Sequence, residues 1–70
     1  MQYRINAYFR GKLAKLGLSQ REFAGMIETD YSAVNRWAVG KAKVPGPVQA
    51  LLDLFEVRPE LVQVMRELRK

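Results

Sequence analysis

The sequence contains neither cysteine nor histidine. Their absence excludes disulfide staples and the usual zinc sites, and it removes the side chains that most often act as general base or nucleophile. A glycine-rich phosphate loop is also missing, and the acids Glu22, Glu28 and Asp30 read as helix caps and turn residues. An enzyme is therefore not expected, and no cofactor or metal is implied. No stretch approaches the roughly 18 apolar residues needed to span a bilayer, and no secretory signal pattern opens the chain. The expectation is a cytoplasmic protein without a membrane partner. At 70 residues there is room for a single domain, residues 1–70, with a small core. Chains of this size depend on well-packed helices or on a partner chain for stability.

What is present is helical periodicity, which predicts five helices, no strand and an all-α bundle. The first helix is expected over roughly Tyr3 to Lys15, with Ile5, Phe9, Leu13 and Leu16 on one face and Gly17 placed to end it. In the second, Ser19 caps the start and Glu22, three residues on, completes a capping box, while Phe23 and Ile27 point inward. Ala24 stands where a neighbouring helix approaches most closely. Asp30 is suited to cap a third helix in which Val34 and Trp37 form the buried stripe, leaving Tyr31, Ser32, Asn35 and Arg36 outward. Residues 40–46 read as a loop. Pro47 suits the first turn of a fourth helix that carries Val48, Leu51, Leu52 and Phe55. Pro59 opens a fifth helix, 59–69, with Leu61, Val64, Met65 and Leu68 along one side. That last stripe either completes the core or meets its copy in a second chain. The favoured reading combines the two, with Leu61, Val62, Met65 and Leu68 lent to a homodimer interface.

Charge is distributed unevenly along the chain. Residues 1–43 hold Arg4, Arg10, Lys12, Lys15, Arg21, Arg36, Lys41 and Lys43 against Glu22, Glu28 and Asp30, which accounts for the whole net charge of +5. Residues 44–70 hold four charges of each sign. The positive excess therefore belongs to the half with the paired short helices, where a polyanion would need it. Lys12 and Lys15 are expected to be solvated side chains of the first helix.

Residues Ser19 to Trp37 read as two short helices joined by a tight turn, the second with a polar outer face, which is the pattern expected of a DNA-reading unit. The run from Leu16 to Ala24, Leu-Gly-Leu-Ser-Gln-Arg-Glu-Phe-Ala, followed by Val34-Asn35-Arg36-Trp37 and Gly40-Lys41, resembles the Cro/CI-like helix-turn-helix regulators, the xenobiotic response element family related to lambda repressor. The resemblance implies a lambda-repressor-like bundle. It also implies a sequence-specific regulator of transcription that binds double-stranded DNA, as a homodimer on an inverted-repeat operator, and represses, with autoregulation the natural mode. By this resemblance Tyr31, Ser32, Asn35 and Arg36 face the bases. Gln20 and Arg21 at the start of the second helix, and Lys41 and Lys43 after the third, are placed to contact phosphates. The small size looks like that of a phage or mobile-element regulator, including the anti-CRISPR-associated type. The rival reading is an antitoxin or adaptor whose fifth helix holds a protein partner. Two positions depart from the family pattern: Glu28 stands where glycine is usual, and Thr29 where an apolar residue is usual. A positive φ at Glu28 costs roughly 1 kcal/mol or more. Ala38 stands where related repressors carry an acid that holds a first-helix arginine, so that ion pair is unavailable.

Overall fold

The computed structural model describes residues 4–69. Among them are five helices and no strand: α1 (Ala7–Lys15), α2 (Gln20–Met26), α3 (Tyr31–Ala38), α4 (Gly46–Val57) and α5 (Glu60–Leu68). None is long and apolar enough to cross a membrane.

The first three helices end in the same way. At each terminus the second residue beyond the helix cap donates back to the third-last helical carbonyl: Leu18 to Leu13 and Thr29 to Ala24 at 2.9 Å, and Lys41 to Arg36 at 2.9 Å. The residue between takes a left-handed conformation, Gly17 at φ 71°, Glu28 at 58° and Gly40 at 81°. This closure satisfies carbonyls that a helix end otherwise leaves unpaired, and it favours glycine because a Cβ is strained there. Glu28 adopts the geometry without being glycine. Its carboxylate pairs with Arg69, and the Arg69 Nε donates to the Met26 carbonyl at 3.1 Å, so α5 grips the turn between α2 and α3.

The core is assembled around Phe9. Its ring meets Phe23 and Trp37 edge to face, with centroids 6.1 and 6.0 Å apart, an arrangement in which ring edge and ring face attract. Leu13, Leu18, Val34, Leu52, Phe55 and Val62 belong to the same buried cluster. Val48 and Leu51 of α4 are half-buried against it, as the periodicity predicts.

Several expectations need correction. The first helix begins at Ala7, because the Asn6 side chain caps it by accepting from the Phe9 amide at 3.0 Å. Tyr3 lies outside the described residues, and Ile5, ahead of the cap, is 56% exposed and not part of the core face. The capping box at α2 is half formed. Ser19 accepts from the Glu22 amide at 3.0 Å, but the Glu22 carboxylate turns away to receive Arg66 Nε at 2.6 Å. Asp30 occupies the cap position of α3 without a side-chain cap bond. Val62 is not available to a partner chain: it is the residue through which α5 enters its own core, 5% exposed, with Leu61 and Met65 partly buried beside it. Leu68 and Val64 are exposed.

Lys12 is the largest departure. It is not solvated but 8% exposed, with Nζ 2.6 Å from Asp53 and 3.2 Å from Glu56 of α4 and 4.6 Å from the centre of the Tyr8 ring. The hydrogen bond to Asp53, with the nearby Tyr8 and the second bond to Glu56, holds the ammonium pKa well above its ordinary value despite opposing desolvation. This cluster ties α1 to α4. Lys15 remains exposed, 3.7 Å from Glu56.

Candidate nucleic-acid interface

The face to be weighed is built on α2 and α3, and its rigidity comes from what lies behind it. Val34, Trp37 and Ala38 fill the inner side of α3, and Phe23, Ala24 and Met26 that of α2. At three to four residues per repeat this leaves Tyr31, Ser32 and Arg36 exposed on the outside of α3. Ala24, fully packed, permits the close approach of the two helices.

Asn35 is placed differently. It is half-buried, and its amide nitrogen donates to Gln20 Oε1 at 3.3 Å. This pair joins the first residue of α2 to the middle of α3. Its remaining donor and acceptor groups are those left for any ligand. Arg21 stacks its guanidinium 4.4 Å above the centre of the Tyr31 ring. That contact both limits the rotamers of Arg21 and keeps its charge at the edge of the outward face. Two residues expected to have separate roles, one for phosphate and one for bases, therefore form one unit.

Ion pairing redistributes the charge that composition places here. Glu22 is held by Arg66, and the bond to Glu22 raises the Arg66 pKa further above the ordinary arginine value. Glu28 is held by Arg69. Two of the three acids in the basic half are thus matched by arginines from α5 and the cap residue that follows it. Arg4, Arg10, Arg21, Arg36 and Lys43 take part in no ion pair among the described residues. The local field around α3 is accordingly more positive than a residue count along α2 and α3 indicates. Lys41 and Lys43 are both exposed in the loop after α3. That loop is held at its far end, where Val44 is buried and its carbonyl accepts from Gln49 Nε2 at 3.0 Å.

No family model, curated protein or solved structure matches the chain.

No group of three or more acids, histidines or cysteines is gathered as a metal site among the described residues. The residue that sequence reasoning overlooked is Arg4. Its backbone lies against Gly40 at the end of α3, and no spacing rule links positions so far apart in the chain. Ala38 contributes through its backbone: its carbonyl accepts from the Asn6 amide at 2.9 Å. A main-chain bond thus joins the start of the described chain to the end of α3.

Proposed function

We propose that this protein is a sequence-specific DNA-binding regulator of the Cro/CI-like helix-turn-helix kind, a repressor acting as a homodimer on an inverted repeat. The observation that carries the reading is the outward face of α3. Tyr31, Ser32 and Arg36 stand exposed on a well-packed helix, while the acids Glu22 and Glu28 nearby are matched by Arg66 of α5 and Arg69 just after it.

A B-DNA major groove admits one α-helix, and α3 is the helix offered to it. Arg36 forks onto guanine O6 and N7, a pairing worth ~1–3 kcal/mol of discrimination. Asn35, oriented by Gln20, presents its remaining amide groups to an adenine edge. Tyr31 sets its ring, steadied by Arg21, against a thymine methyl or its hydroxyl against a phosphate, and Ser32 is short enough to accept several bases. Arg21, Gln20, Lys41 and Lys43 contact the backbone, fixing register without reading sequence. Repression follows from occupancy of a promoter, and a cytoplasmic location and a phage or mobile-element origin fit this role.

The test is selection of bound duplexes from a randomised pool, followed by titration of the winner against a scramble near physiological salt. An enriched palindrome bound ~10³-fold or more tightly than the scramble is expected. Its half-sites should lie about one helical turn, roughly 34 Å, apart. Equal weak binding to both refutes sequence reading.

A second reading has its own observation: Leu54 and Val57 of α4, with Val64 and Leu68 of α5, are large apolar side chains left exposed. An antitoxin or adaptor would use such a surface for a protein partner. In that case Leu68→Glu abolishes activity and Arg36→Ala does not.

A further inference from the structure

The backbone of residues 4–6 crosses the C-terminal end of α3. Asn6 N–H donates to the Ala38 carbonyl at 2.9 Å. A Cβ built on Gly40 would lie 1.6 Å from the Arg4 carbonyl oxygen and 2.7 Å from its carbonyl carbon. The two backbones are therefore as close as glycine allows. Between this segment and the loop after α3 runs a shallow groove with Arg4 on one side and Lys41 and Lys43 on the other. No acid lines it. The first turn of α1, with the positive end of a nine-residue helix, opens into the same space.

Arg4 and Lys43, neither of them in an ion pair among the described residues, on walls fixed by main-chain contacts, make a receptor for an anion, and the groove adjoins the helix offered to DNA. We infer that it holds a backbone phosphate of the bound duplex, with Arg4 and Lys43 supplying charge and Gly40 allowing the segment to lie where Arg4 can reach. This rests on the DNA-binding reading, but not on its sequence specificity. The N-terminal segment is thereby part of the binding surface and not only a lead into α1. Arg4 reads no base, so its contribution is the same on any sequence and declines with salt.

Fluorescence anisotropy of labelled duplex, across a salt series, separates the possibilities. The wild type, Arg4→Ala and Arg4→Lys are each titrated with the selected duplex and with a scramble of equal length. Arg4 is exposed, so the variants keep wild-type circular dichroism. Arg4→Ala is expected to flatten the log K against log salt slope by about 0.9 per chain. That slope, taken between 1 M and 0.15 M salt, corresponds to about five-fold weaker binding per chain, roughly 30-fold for a bound dimer, on both duplexes at the lower salt. Arg4→Lys should restore most of the slope. If the wild type binds both duplexes equally and Arg4→Ala still weakens both, sequence reading fails and the phosphate groove stands. If Arg4→Ala matches the wild type in affinity and slope on both duplexes, the groove is refuted while DNA binding stands. A wild type that binds neither duplex overturns both.

Discussion

The contact between Gly40 and Arg4 can be measured without DNA, by comparing two glycines in the same conformation. Gly17 and Gly40 both have left-handed φ, 71° and 81°, so alanine at either meets the same backbone strain, roughly 1–2 kcal/mol. They differ in surroundings. A Cβ on Gly17 meets nothing within 4 Å, whereas one on Gly40 overlaps the Arg4 carbonyl. That carbonyl belongs to the main chain and cannot rotate aside, so the whole segment must move, and with it goes the Asn6 to Ala38 hydrogen bond. Such a bond contributes about 0.5–1.5 kcal/mol. Gly17→Ala is therefore expected to cost about 1–2 kcal/mol and Gly40→Ala about 1.5–3.5 kcal/mol. For a domain of this size each kcal/mol moves the melting temperature by about 4–8 °C. Thermal melts followed by far-ultraviolet circular dichroism should place Gly40→Ala about 2–12 °C below Gly17→Ala. Equal melting temperatures, or a lower one for Gly17→Ala, would refute the close approach and the positioning of Arg4 that follows from it.

Three other outcomes are expected. Arg36→Ala should lose ~1–3 kcal/mol of discrimination at one base pair per half-site while nearly keeping its salt slope, read by titrating single-base operator variants. Lys12→Met should be less stable than the wild type at neutral pH. Because the folded-state pKa of Lys12 is raised above its ordinary 10.5, its contribution is complete below that value and fades only as pH rises through the higher folded value. Melts of both proteins from neutral to strongly alkaline pH should show the gap closing only at the alkaline end. Leu68→Glu, at a side chain 69% exposed, should leave the helical spectrum intact and shift sedimentation equilibrium from dimer to monomer. An unchanged dimer would remove α5 from the interface.

The sequence makes the helices legible wherever apolar spacing and local caps agree. Phe23, Val34 and Trp37 are buried, and Tyr31, Ser32 and Arg36 exposed, because a rigid 3.6-residue period assigns faces without reference to the rest of the chain. The start of α1 shows the limit. Ile5 continues the apolar period of Phe9 and Leu13, yet Asn6 captures the Phe9 amide and ends the helix ahead of it. A single side-chain bond thus outweighs one more turn of pattern. Long-range charge is less legible still. Lys12 and Glu22 look solvated or locally employed, but their partners lie 41 and 44 residues away, where only the packing of α4 and α5 brings them. In the interface, the stacking of Arg21 on Tyr31 and the Gln20 to Asn35 bond depend on how α2 crosses α3. Arg4 is invisible for the same reason, because its position is set by a backbone contact at Gly40.

Trp37 is the sole tryptophan, 7% exposed and set edge-on against Phe9 behind the outward face of α3. Its fluorescence is consequently an internal gauge, blind to bases that pass over the opposite side of the same helix. Denaturant should redshift its emission as water reaches the indole. Added duplex should leave the emission wavelength where it was, so any shift on binding would report a rearrangement of the interior beneath α3 and not a nucleotide stacked on the ring.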